Sequence, residues 1–87
     1  MASFDIFWKS SDEHYLRRID HQYIPQILRL IDDLSENPFP NQSRKLRGSE
    51  SSYRIRIGDY RVIYTVDPHA RRITVFHVRH RREAYRR

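Results

Sequence analysis

Tyr53-Arg54-Ile55-Arg56-Ile57-Gly58-Asp59-Tyr60-Arg61-Val62-Ile63-Tyr64 alternates apolar with charged residues on both sides of a two-residue break. Glycine in the first loop position supplies the positive φ of a type II′ turn, so Gly58-Asp59 reads as a tight hairpin and the strand register follows from it. Ile57 then faces Tyr60, and Arg56 faces Arg61. Period-two alternation puts Tyr53, Ile55, Ile57, Tyr60, Val62 and Tyr64 on one side of a sheet and Arg54, Arg56 and Arg61 on the other. Two arginines directly opposite each other repel. A fold that keeps such a pair without a carboxylate between them is most simply explained if a polyanion supplies the missing charge.

Outward from the hairpin, Asp67-Pro68-His69-Ala70 is a turn, and Arg72 to Val78 a further strand in which Thr74, Phe76 and Val78 are expected to face the core. Ile73, Val75, His77, Arg79 and Arg81 would then project to the open side. Upstream, Asn37-Pro38-Phe39-Pro40-Asn41 cannot continue a helix and opens a connecting loop through Lys45-Leu46-Arg47-Gly48. Before it, Ile27, Leu28, Ile31 and Leu34 form a helical apolar stripe, with Pro25 tolerated in the first turn. A capping box, Ser10-x-x-Glu13, predicts an earlier helix from about Ser11 that carries Tyr15, Leu16 and Ile19. Phe4-Asp5-Ile6-Phe7-Trp8 reads as a first strand. The expected fold is α+β, in β-α-α-β-β-β order: a mostly antiparallel four-stranded sheet, two helices packed on one face, and a short C-terminal tail.

A chain of 87 residues makes one domain, 1–87, with a single modest core and no room for a deep substrate cavity, so function is expected on a surface. Cysteine is absent, which removes disulfides and thiolate zinc sites. No apolar run approaches membrane-spanning length, and the N-terminus lacks the pattern of a signal peptide, so a soluble, cytoplasmic protein is expected. The net charge of +6 is unevenly spread. Residues 1–43 hold four Lys/Arg against seven Asp/Glu, and residues 44–87 hold thirteen against four. A basic half with interleaved aromatic residues is the footprint of nucleic-acid binding, and it is also a docking surface for an acidic protein.

With these segments in order, the chain resembles the RelE/ParE toxin superfamily of bacterial toxin–antitoxin systems over essentially its whole length. The resemblance rests on Asn37-Pro38-x-Pro40, Lys45-Leu46-x-Gly48, the Tyr53 to Tyr64 hairpin, and the ending Val78-x-His80-Arg81-Arg82-Glu83-x-Tyr85-Arg86. It implies a RelE-like toxin that cuts messenger RNA on the ribosome and is held inactive by a cognate antitoxin. The family's functional positions fall here on Arg54, Arg56, Arg61, Arg81 and Tyr85. Better-known members carry lysine where Arg54 and Arg56 stand, and often a small residue where Arg79 stands. An arginine cannot act as a general base, so any proton transfer such a lysine shares must have moved elsewhere in this chain.

Metal-free RNA cleavage uses the ribose 2′-hydroxyl as nucleophile, and the protein must orient it, neutralise a phosphorane-like charge and move two protons. In that scheme Arg61 and Arg81 hold the scissile phosphate, Arg54 and Arg56 hold the RNA backbone, and Tyr85 is the base, its phenol lowered by clustered positive charge. His80 is the candidate acid. Arg79, Arg82, Lys45 and Arg47 are further RNA-binding candidates. His77-x-x-His80 on an extended strand puts its rings on opposite faces, so neither metal nor cofactor is expected. Tyr53, Tyr60 and Tyr64 are expected in the core, not as base-stacking platforms. Two other readings stand beside the nuclease: a ParE-like toxin that inhibits DNA gyrase, and an inactive nucleic-acid-binding relative.

Overall fold

The hairpin forms as its sequence requires. The structure, a computed structural model, describes residues 3–9, 19–48 and 51–80, with His77, Arg79 and His80 as backbone alone. Strand β3 (Ser52–Ile57) turns at Gly58-Asp59 into β4 (Tyr60–Asp67), pairing Ile57 with Tyr60 and Arg56 with Arg61. Gly58 takes a φ of +56° while Asp59 keeps a negative φ, the combination of a type II′ turn. A side chain at position 58 would also collide, since an added Cβ would lie 3.0 Å from Cε1 of Tyr23.

Along β4 the burial alternates without a break: Tyr60, Val62, Tyr64 and Val66 are buried, and Arg61, Ile63 and Thr65 are half-buried on the opposite face. Against the buried face lies helix α1 (Ile24–Leu34), entered through a 3₁₀ turn at His21–Tyr23 with Pro25 in its first turn. Ile27, Ile31 and Leu34 of α1 join Ile55, Val62, Tyr64, Ile73 and Val75 in one cluster. Leu28, expected in the same stripe, is 45% exposed. It sits about 100° around the helix from Ile27, past the edge of the buried arc, and Ile24 and Leu30 pack against the core as the flanks of that arc instead. The expected earlier helix from Ser11, with Tyr15 and Leu16, lies outside the described residues. Its one described apolar member, Ile19, is buried.

Among the described residues the sheet has five strands, not four. A two-residue strand β2 (Arg44–Lys45) pairs antiparallel with β3 at one edge, inside the segment expected to be loop. At the other edge β1 (Asp5–Trp8) runs parallel to β5 (Arg72–His80), so the order is β1-β5-β4-β3-β2 and the sheet is mixed. The β4 to β5 turn is held by the Asp67 carboxylate, which accepts the amides of His69 and Ala70 at 3.1 Å each.

Strand β5 corrects a second expectation. Ile73 and Val75 are buried and Thr74 and Phe76 half-buried, the reverse of the expected faces, yet Val78 is buried as expected. The register explains both. Ile63 pairs with His77 but Tyr64 pairs with Val75, so β5 carries one extra residue, Phe76, as a bulge that exchanges the two faces of the strand.

The Asn37-Pro38-Phe39-Pro40 loop is tied down from beneath. The Tyr64 hydroxyl donates to the Pro38 carbonyl at 2.9 Å, the Phe39 ring meets Tyr53 edge-on at 5.1 Å, and Tyr53 stacks on Tyr64 at 5.8 Å. Tyr64 is fully buried. Burial pushes its phenol up to about 12, with the nearby Tyr53 adding slightly and a Ser43 hydrogen bond opposing.

Two outcomes follow for stability. Gly58→Ala combines a left-handed φ with the Tyr23 contact and is expected to cost about 1–2 kcal/mol or more in urea unfolding. Tyr64 keeps its proton in the fold after the unfolded chain has released it, so its contribution is complete below pH 10 and drains away as pH rises toward 12. Wild-type stability should therefore fall more steeply than that of Tyr64→Phe across this window; parallel curves would contradict the burial account.

Candidate nucleic-acid interface

With one face of the sheet filled by α1, the chemistry available to the other face is set by the residues that alternation leaves there. Arg54 and Arg56 come from β3 and Arg61 from β4. Arg56 pairs directly with Arg61, and Arg61 pairs on its other side with position 79 of β5. Three arginine positions thus share one rung across three neighbouring strands, each about 4.8 Å from the next. The bulge at Phe76 makes this possible: if the parity of Ile73 and Val75 continued unbroken, position 79 would fall on the core side. Arg54 occupies a rung about 7 Å along the sheet, between Ile63 of β4 and Arg44 of β2.

A small pocket opens beside the rung at the hairpin tip. It measures about 170 Å³ and is lined by Arg56, Gly58, Asp59, Tyr60 and Arg61. Sites for drug-sized molecules run to roughly 300–1,000 Å³, so this one suits a phosphate-sized group and not a whole nucleotide. Arg56 is exposed and Arg61 half-buried, so water reaches the two arginines of the lining unequally. The Asp59 carboxylate belongs to the same lining.

The expected site residues divide by where the chain puts them. Arg54, Arg56, Arg61 and position 79 gather on the open face. His80 closes β5, with its backbone opposite Tyr60. Arg81, Arg82 and Tyr85 lie outside the described residues. Lys45 and Arg47 are both exposed, but Lys45 pairs with Tyr53, a rung of the opposite parity to Arg54, and Arg47 follows the end of β2. The residue that shares Arg54's rung is Arg44, which sequence reading passed over because a two-residue strand has too few positions to alternate. Its guanidinium donates to the Asn41 and Ser43 carbonyls at 2.9 Å each, bracing the loop before β2. Tyr53, Tyr60 and Tyr64 are core residues as expected, and Tyr60 accepts the Asp20 amide at 2.8 Å through its hydroxyl.

Comparison with known proteins gives a consistent result. Residues 6–85 match the family model described as the ParE toxin of the type II toxin–antitoxin system parDE. A Methanocaldococcus jannaschii protein that carries the name toxin RelE1 is 32% identical over 74 residues, covering 82% of each chain. Among solved structures, the archaeal RelE–RelB complex from Pyrococcus horikoshii superposes with a TM-score of 0.80 at 26% identity, over 91% of this chain and 96% of that one. The isolated RelE toxin of E. coli superposes at 0.78 and 20% identity, over 90% and 84%, a likeness of fold.

The like-charged rung has a measurable signature. Replacing one member, as in Arg56→Gln, is expected to raise stability by about 0.2–1 kcal/mol at low ionic strength, with the gain fading toward about 1 M salt. A loss of stability instead would reveal an internal partner for Arg56.

Proposed function

This chain belongs to the RelE/ParE superfamily of toxins from toxin–antitoxin systems, and from that premise we propose that it is a ribosome-dependent endoribonuclease that cuts messenger RNA. The observation that carries the reading is the rung of Arg56, Arg61 and position 79 beside a phosphate-sized pocket. A bridging phosphate cancels the repulsion within that rung, and planar guanidinium groups can each grip two of its oxygens.

The reaction needs no metal. The ribose 2′-oxygen attacks the adjacent phosphorus, the bond to the departing 5′-oxygen breaks, and the products are a 2′,3′-cyclic phosphate and a 5′-hydroxyl. Tyr85 takes the proton from the 2′-hydroxyl, and His80 supplies one to the 5′-oxygen. Arg61 and Arg81 neutralise the extra charge of the transition state, while Arg54 and Arg56 hold the flanking backbone. Arg79 and Arg82 add contacts to RNA backbone that carry affinity but no sequence preference, while Lys45 and Arg47, off the arginine rungs, meet only RNA that runs past the β2 edge. The ribosome presents the message, which puts the activity in the cytoplasm, and a cognate antitoxin restrains it, as the Pyrococcus toxin is found bound to RelB.

A second reading, a gyrase inhibitor acting through protein contacts, draws on the ParE description of the matching family. It gives the arginine rung no task. Induction in bacteria with mapping of messenger 5′ ends separates the two. The nuclease predicts in-frame cuts on translated messages that vanish in Arg81→Ala and Tyr85→Phe; toxicity with intact messages and damaged DNA would sink it. Arg61→Ala should slow cleavage by about 100-fold or more while changing ribosome binding little. Equal losses in both would contradict its transition-state role.

A further inference from the structure

The arginine rung accounts for only the hairpin end of the open face. Toward β1 the same face turns aromatic, and each ring there is met by a cation. Phe7 shares a rung with Thr74, Thr65 and Ser52, and is 44% exposed. The Arg72 guanidinium lies over its ring at 4.6 Å. Phe76, the bulge residue, stands apart from the core cluster, and the Lys9 ammonium sits 5.0 Å from its ring centre. The half-buried Ile63 lies on the same face between this patch and Arg61. The next rung out, Asp5–Arg72–Asp67, brings in two carboxylates and ends the cationic surface.

We propose that the β1 side of the open face, Phe7 with Arg72 and Phe76 with Lys9, is a second RNA subsite that stacks an unpaired base and holds its phosphate. A guanidinium plane resting on an aromatic ring presents its other side to a nucleobase, and a lysine ammonium is a point charge suited to the backbone. A positive track interrupted by stacking platforms is how proteins grip single strands with little regard for sequence. By the sheet's own spacings Phe7 lies roughly 16 Å from Arg61, four residues along and two strands across, a distance that a few nucleotides of extended strand cover. This deepens the nuclease reading and rests on it only for the identity of the strand: the subsite positions RNA on one side of the phosphate being cut.

The cations have a simpler use, since a sheet that the described residues cover on one face needs some shield over the aromatic residues of the other. Binding separates the two uses. Fluorescence anisotropy with the full chain and a labelled single-stranded 2′-O-methyl RNA, which cannot be cut, reads affinity independently of catalysis. Phe7→Leu and Arg72→Gln should each weaken binding by about 5- to 100-fold, and Phe7→Trp should retain it, with melting temperatures showing that all three fold. Unchanged affinity in Phe7→Leu and Arg72→Gln, or no RNA binding by the wild type, would overturn the subsite. So would unchanged RNA affinity with a weakened hold on a poly-glutamate peptide, which would assign the patch to an acidic protein. The two proposals fail separately. Message cleavage that persists alongside unchanged Phe7→Leu affinity removes only the subsite, whereas lost affinity in a protein that cuts nothing supports the subsite and removes the nuclease.

Discussion

The rest of the molecule depends on the register of one hairpin. A slip of β3 by one residue against β4 would send Arg54 and Arg56 into the space that α1 fills with Ile27, Ile31 and Leu34, and would bring Ile55 into water. Burying unpaired guanidinium groups is far more costly than any turn preference, so the arginines themselves police the pairing that Gly58 starts. The charge that makes the open face reactive toward anions is the same charge that makes the alternative pairings inaccessible. Gly58 answers to two demands together, a left-handed φ and the close approach of Tyr23, so the turn that sets the register is also wedged against the entry to the helix.

Stability and binding capacity are kept on opposite sides of a single layer. Beneath the sheet, Tyr64 joins the central strand to the Asn37-Pro38-Phe39-Pro40 loop through a fully buried hydroxyl, and the Tyr53 and Phe39 rings close over it. Above the sheet, like charges are stacked across adjacent strands at a cost to the fold. The bulge at Phe76 links the two sides. It lets β5 bury Ile73, Val75 and Val78 below while bringing position 79 level with Arg61.

How much of this was legible in the chain depends on how far each feature repeats. The hairpin, the α1 stripe apart from Leu28, the β4 to β5 turn and the arginine face were readable because each is a local period or a local turn chemistry. The parallel seat of β1 was not, since four residues carry no mark of which neighbour they will join. Strand β2 is a single period of alternation, with no repeat to read, which hid the pairing of Arg44 with Arg54. In β5 the run Ile73-Thr74-Val75-Phe76 is apolar enough on both sides that a face could be assigned either way, and the bulge that settles it is a property of pairing with β4. Phe7 and Phe76 therefore passed as ordinary strand residues, and only the cations above them set them apart.

The edge at β2 has a consequence for how these molecules behave in company. A sheet margin with unsatisfied backbone groups invites a neighbour to add a strand and so begin a fibre. Here that margin is two residues long, both cationic, with Arg47 just beyond. Another copy approaching edge to edge meets its own like charge before any backbone hydrogen bond can form. Crowded copies are thereby held apart on this side, and the chain can accumulate in solution without polymerising through β2.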